Sequence, residues 1–184
     1  MNTVFMCGTE IGFETINMLF SAIRAVHSSA IHITKDSVAL IPPQIKTPDF
    51  LIIDNPGISK VHTPGGIALF RKHTPTIQHF EIPAAYFAVV DSENRGAVDM
   101  LRNDGIQTVT CGLSLKDTVT FSSLDSDRAV VSLQRGLKAL DGTDIDPVDV
   151  PITFRPSHSE YPLLAAVAVL LLSRVLLPDG GLEI

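Results

Sequence analysis

Short runs of apolar and β-branched residues that end at turn residues recur along this chain. Four of them lie at residues 3–7, 50–54, 86–90 and 107–111, and each leads into a glycine, an asparagine or an aspartate. Runs of this length are typical of strands that are buried on both faces of a parallel sheet. We therefore predict a central sheet that contains these four segments.

Segments with helical spacing of apolar residues lie between these strands. Apolar side chains recur every three or four positions over 13–26, which predicts a helix. A second helix is predicted over 95–103, with Ser92 or Asn94 as its N-terminal cap. A shorter helix is predicted over 63–72, where a Thr-Pro-Gly-Gly sequence resembles a helix start and a Thr-Pro pair ends the pattern.

The remaining strands predict an extension of a different kind. Residues 30–41 hold two β-branched runs around a polar turn, which predicts a hairpin. Segments 117–124, 129–134 and 151–154 are short and separated by turns, as in antiparallel strands. We expect an α/β fold of three layers, with a Rossmann-like, mostly parallel sheet and an antiparallel extension, formed by residues 1–184 as one domain.

The last predicted helix, over 160–177, contains ten consecutive apolar residues at 163–172. A helix that spans a membrane needs about 20 mostly apolar residues, and shorter runs are more typical of buried helices. The hydrophobic content of 45% and the mean hydropathy of +0.28 also favour a buried core or a subunit interface. We expect a core helix and no membrane span, with a membrane-associated tail as the alternative.

The charge and the cysteine content narrow the classes of function. The formal net charge is −6 and no basic stripe is present, so we expect no nucleic-acid partner. Two cysteines cannot form a disulfide framework, and no secretory signal is visible, so we expect a cytoplasmic protein. Cys7 and Cys111 each end a predicted strand, which favours buried apolar residues over a metal or redox pair. The six histidines show no i, i+4 pair, and we expect His73 and His79 in loops.

The turn after the first strand has glycines in the places that a phosphate-binding loop needs. Its sequence is Gly8-Thr9-Glu10-Ile11-Gly12-Phe13-Glu14-Thr15. Such loops surround phosphates with backbone N–H groups and neutralise their charge with a lysine, which this segment lacks. Glu10 and Glu14 would repel a triphosphate. Gly8, Thr9, Glu10 and Gly12 are candidate ligand-binding residues, and an ordinary strand-to-helix turn is the alternative.

Polar residues also follow two other predicted strands. Asp54 ends the second strand and Asn55 follows it, while Asp91, Ser92 and Asn94 follow the third strand. Ligands of open parallel sheets bind beyond the carboxyl ends of the strands, so these five residues are candidates for a ligand site. A turn and a helix cap are the alternative for the second group.

Three of these side chains are carboxylates that we expect at one edge of the sheet. Glu10, Asp54 and Asp91 would repel one another there unless a cation offsets them. Asp54 and Asp91 are therefore also candidate metal ligands. If no cation is bound, Asp54→Asn should be neutral or slightly stabilising, because it removes repulsion and keeps the shape.

The sequences VVDSEN, VTCGLS and SEYPLLAAVAVLLL occur in this order, and together they resemble the central, ATP-binding domain of the Mur ligase family. That family includes the folylpolyglutamate synthases and joins an amino acid or peptide to a carboxylate through an acyl phosphate. The resemblance implies a Mg²⁺ role for Asp54 and an adenosine contact for Asp91, Ser92 and Asn94. The family's Gly-Thr-x-Gly-Lys-Thr/Ser loop is degenerate here, and its N-terminal and C-terminal domains are not expected in this chain.

The two function hypotheses differ in whether a nucleotide is bound. The first is a non-catalytic or degenerate Mur-ligase-like domain that acts as a binding or assembly module, without catalytic residues or cofactor. The alternative is a ligase-type enzyme that uses a Mg-nucleotide with a partner chain that supplies the missing domains. An unknown protein partner or self-association, such as a homodimer, is expected in the first case.

Overall fold

A computed structural model of the protein describes residues 1–8, 13–41, 47–58, 60–72, 81–155 and 159–184. The helices are α1 (Glu14–Ala25), α2 (Arg95–Asn103) and α3 (Glu160–Leu172). The strands are β1 (Asn2–Cys7), β2 (Ala30–Thr34), β3 (Val38–Ile41), β4 (Phe50–Asp54), β5 (Gly66–Phe70), β6 (Tyr86–Asp91), β7 (Gln107–Cys111), β8 (Val119–Leu124), β9 (Arg128–Leu133), β10 (Leu137–Lys138), β11 (Asp144–Ile145), β12 (Asp149–Thr153) and β13 (Leu182–Glu183).

The described strands form one large mixed sheet in the order β13-β12-β9-β8-β7-β6-β5-β1-β4-β2-β3, and β10 pairs with β11 separately. Strands β2, β4, β1, β5, β6 and β7 are parallel to one another, and β3 forms an antiparallel pair with β2. The ends of β1, β4, β5, β6 and β7 therefore lie along one side of the sheet, which we call the carboxyl edge. This is the predicted α/β fold with a mostly parallel sheet.

The antiparallel extension begins at the carboxyl edge. Strand β8 is parallel to β7, but the two share only the Cys111–Val119 pair, so most of β8 lies beyond the end of β7. Strands β9 and β12 continue the sheet in antiparallel pairings. The extension therefore flanks the carboxyl edge on the β7 side.

Helix α3 is enclosed on all sides. Every residue from Tyr161 to Leu172 is buried, and the helix packs against α1, β6, β7 and β8. The Tyr161 hydroxyl donates to the Phe70 carbonyl, which fixes the start of α3 at the carboxyl edge. Because α3 has no solvent-facing side, it is apolar around its whole circumference. The described part of the chain holds no helix whose length and apolar character would let it cross a membrane.

One predicted helix is wrong. Residues 63–72 do not form a helix; they contain β5, which is inserted between β1 and β6. A five-residue apolar run with both faces covered has no periodicity that distinguishes it from a buried helix. The backbones are close here, since a Cβ on Gly66 would lie 2.8 Å from the Thr3 carbonyl oxygen. Strands β10, β11 and β13 were not predicted either, as each has two residues.

Candidate functional site

The turn after β1 is only partly described, because Thr9, Glu10 and Gly12 lie outside the described residues. Gly8 has a φ of 88°, a conformation that favours glycine in any turn. The turn therefore requires this glycine whether or not a phosphate binds.

Glu14, at the start of α1, has a structural partner. Its carboxylate accepts a hydrogen bond from the Ser159 hydroxyl, next to the start of α3. The contact joins the N-terminal ends of the two helices, which pack against each other. The carboxylate that was expected to repel a phosphate therefore helps to hold α1 against α3.

Asp54 forms an ion pair with an arginine that the sequence reasoning missed. The Arg71 Nη2 atom lies 2.5 Å from Asp54 Oδ1. The exposed fractions of the two side chains are 7% for Arg71 and 13% for Asp54, so the pair is largely shielded from water. The cation that offsets the Asp54 carboxylate is therefore a side chain of the protein itself.

The path of the Arg71 side chain follows from the strand order. Arg71 comes directly after β5, and its backbone N–H donates to the Cys7 carbonyl at 3.0 Å. Strand β1 lies between β5 and β4 in the sheet. To reach Asp54 on β4, the guanidinium must cross the end of β1, where the Gly8 turn begins. A cation supplied by the protein itself therefore lies at the carboxyl end of the central strand.

His32 completes this cluster from β2. Its Nε2 atom is 3.7 Å from Asp54 Oδ2, and its ring packs edge-to-face on Phe20 with centroids 5.0 Å apart. Burial lowers the pKa of His32, and the nearby Asp54 carboxylate opposes this shift. The imidazole is therefore neutral at neutral pH, and the positive charge beside Asp54 comes from Arg71.

Asn55 has a local role. Its Oδ1 atom accepts a hydrogen bond from the Gly57 backbone N–H at 2.9 Å. This contact is an Asx turn, in which an asparagine side chain replaces a backbone acceptor. The bond stabilises the reversal of the chain after β4.

The Asp91 turn has the hydrogen bonds of a turn and a helix cap. Asp91 is 5% exposed, and its Oδ1 atom accepts from the Glu93 backbone N–H at 2.9 Å. The Asn94 Oδ1 atom accepts from the Ala97 backbone N–H at 3.2 Å, which caps α2 as predicted. The Ser92 backbone N–H donates to the Cys111 carbonyl. Burial raises the pKa of the Asp91 carboxyl, although the bond from Glu93 opposes the shift.

A second buried carboxylate, Asp117, lies on the other side of Gly112. Its exposed fraction is 4%, and its Oδ2 atom accepts from the Ser114 backbone N–H at 3.0 Å. A Cβ on Gly112 would overlap both this carboxylate and the Ser92 hydroxyl. Sequence reasoning placed Asp117 at the start of a strand, and nothing in its neighbours indicated that it would fold back towards the Asp91 turn.

Asp54 and Asp91 share the carboxyl edge but are not neighbours. Asp54 ends β4 and Asp91 ends β6, and these strands are three positions apart in the sheet, or about 14 Å. Two carboxylates at this distance cannot ligate the same ion, since metal–oxygen distances are about 2–2.6 Å. Among the described residues, no group of three or more His, Cys, Asp or Glu side chains could hold a metal ion.

The two cysteines are separate and buried. Cys7 ends β1 and Cys111 ends β7, with β5 and β6 between them, and neither forms a disulfide. Burial raises the pKa of both thiols, so neither is a reactive thiolate. The interpretation of both cysteines as buried apolar residues is confirmed.

Comparison with known proteins gives similarity at the level of fold. No protein-family model matches the chain, and no curated protein matches its sequence. Among solved structures, MurF from Acinetobacter baumannii matches 95% of this chain and 43% of its own, with a TM-score of 0.54 and 13% identity.

Two folate-related enzymes match as well. A bifunctional folylpolyglutamate synthase/dihydrofolate synthase from Yersinia pestis, complexed with AMPPNP and a Mn ion, has a TM-score of 0.56 and 11% identity. The match covers 97% of this chain and 55% of that protein. Folylpolyglutamate synthase from Thermotoga maritima has the same TM-score and identity, over 97% of this chain and 56% of its own. The chain thus has a Mur-ligase-like fold and spans about half the length of these proteins.

Proposed function

We propose that this chain is a non-catalytic, Mur-ligase-like domain that acts as a binding or assembly module. The observation that carries the proposal is the Arg71–Asp54 ion pair at the carboxyl edge. The carboxylate that would face a metal ion in a working site is already bound to a cation of the protein. A domain that keeps this fold without an open metal position retains the shape of a ligase and not its chemistry.

The nucleotide and metal bound by the similar Yersinia enzyme do not fit the residues of this chain. Residues 8–15 contain no lysine, so the loop has no side chain to neutralise phosphate charge. Glu14 is bonded to Ser159, and Asp54 is bonded to Arg71. Asp91 is held in its own turn by the Glu93 N–H. Each described acidic candidate therefore has a partner within the protein.

Exposed apolar side chains support the assembly part of the proposal. Phe13 precedes α1 and is 69% exposed, and Leu113 and Leu115 follow β7 and are 62% and 81% exposed. All three lie on segments that leave or return to the carboxyl edge. Burying such side chains against a protein surface would contribute about 1.5–3 kcal/mol each. The partner is a second copy of the chain or another protein.

Isothermal titration calorimetry with ATP and MgCl₂ tests the proposal. We expect no measurable heat of binding at nucleotide concentrations up to about 1 mM, because the lysine charge is missing and Asp54 is not available. A titration without Mg²⁺ is the control for metal-independent binding. A dissociation constant in the low micromolar range would overturn the proposal and favour a nucleotide-dependent enzyme that works with a partner chain.

A further inference from the structure

We propose that Arg71 closes a latent divalent-cation site at Asp54 and His32, so that an intramolecular contact keeps metal ions out of the carboxyl edge. The inference rests on the proposed function, in which this edge binds no metal-nucleotide. It adds that the donors for a cation persist and that a single side chain covers them.

The Arg71 side chain covers the Asp54 carboxylate. Arg71 starts on β5 and crosses the end of β1 to reach Asp54 on β4. Its backbone is held by the bond to the Cys7 carbonyl, and the side chain is 93% buried because its exposed fraction is 7%. A metal ion on Asp54 would lie within about 5 Å of the guanidinium, where two positive charges repel strongly.

The His32 nitrogen and the Asp54 carboxylate near Arg71 are suited to bind a metal ion. His32 Nε2 is buried and has no hydrogen-bond partner among the described residues, although nitrogen atoms in protein interiors are normally paired. It lies 3.7 Å from Asp54 Oδ2, and two ligands of one ion are typically about 3 Å apart. A small shift would bring both atoms onto the same ion.

The donor types indicate which class of ion the site would take. A carboxylate oxygen combined with an imidazole nitrogen suits Mn²⁺ or Zn²⁺ better than Ca²⁺, which prefers a shell of oxygens. Water would complete the coordination, since the described residues offer no third acidic, cysteine or histidine ligand. Mn²⁺ is the practical probe, because its free concentration is measured directly by electron paramagnetic resonance.

The test replaces Arg71 and adds the metal ion without a nucleotide. Thermal melts of wild type, Arg71→Gln and Arg71→Met are recorded at increasing MnCl₂, with Asp54→Asn added to each variant as the matched control. We expect wild type to be insensitive to Mn²⁺. Both single variants should melt lower, and their Tm should rise by about 5–10 °C at 100 times the Kd. The variants with Asp54→Asn should not respond.

A MnCl₂ titration in which electron paramagnetic resonance measures the free ion should show one bound Mn²⁺ per chain for Arg71→Gln and none for wild type. Equal binding by wild type, or no response of the folded single variants, would overturn the inference. If the single variants do not fold, they are refolded from urea with and without MnCl₂. Recovery only with Mn²⁺ supports the inference, and failure in both conditions overturns it. Binding of Mg-ATP to wild type would instead refute the proposed function. The Mg-ATP and Mn²⁺ experiments therefore distinguish a failure of the proposed function from a failure of this inference.

Discussion

Asp54→Asn isolates the charge of the buried ion pair, because asparagine keeps the shape of aspartate and one acceptor oxygen. The guanidinium and carboxylate charge centres are about 4 Å apart, and at an effective dielectric constant of about 20 their attraction is about 4 kcal/mol. The neutral hydrogen bond that remains returns about 1 kcal/mol. We therefore expect the free energy of unfolding to fall by about 2–3 kcal/mol, less than the ~3–5 kcal/mol for removing a buried partner outright.

Urea unfolding followed by far-ultraviolet circular dichroism measures this change, with a midpoint about 1 M lower for the variant. The control is Asp99→Asn, which breaks an exposed Asp–Arg pair on α2. The Arg102–Asp99 distance is 3.6 Å and both side chains are at least 69% exposed, so the expected loss is below about 0.5 kcal/mol. An Asp54→Asn variant as stable as wild type, or more stable, would refute the ion-pair argument and restore the repulsion expected from sequence.

Two further predictions concern the Asp91 turn and α3. Because burial raises the pKa of Asp91, its contribution to stability is present at acid pH and is lost as the pH rises through that pKa. Asp91→Asn should therefore flatten the pH dependence of the unfolding free energy above about pH 4, the ordinary pKa of an aspartate, and parallel curves for variant and wild type would contradict this. Leu170→Ala should cost about 2–5 kcal/mol in urea unfolding, since Leu170 is fully buried. Leu176→Ala, at a leucine that is 91% exposed, should cost almost nothing, and equal effects would refute the enclosed position of α3.

Local sequence patterns were sufficient to predict the bounds of an element where a capping residue and a glycine mark its two ends. Helix α2 has the predicted bounds, because Asn94 caps it and a glycine follows it. Helix α3 is shorter than predicted and ends at Leu172, since Arg174 adopts a φ of 53° that a helix cannot continue. The apolar run in β5 also has turn residues before and after it, but these residues punctuate a strand as well as a helix. Its position between β1 and β6 depends on backbone packing that no window of sequence contains.

The candidate site was also predictable from the sequence only in part. The sequence alone determined that Gly8, Asp54 and Asp91 lie at the ends of strands and that parallel strands bring these ends to one edge, since both facts depend on short runs and their order. Only the tertiary structure decided which of these groups meet. Asp54 and Asp91 are three strands apart, and Arg71 lies beside Asp54 because β5 pairs with β1. Contacts across strands depend on the order of pairing, and that order depends on packing between segments that are distant in the sequence.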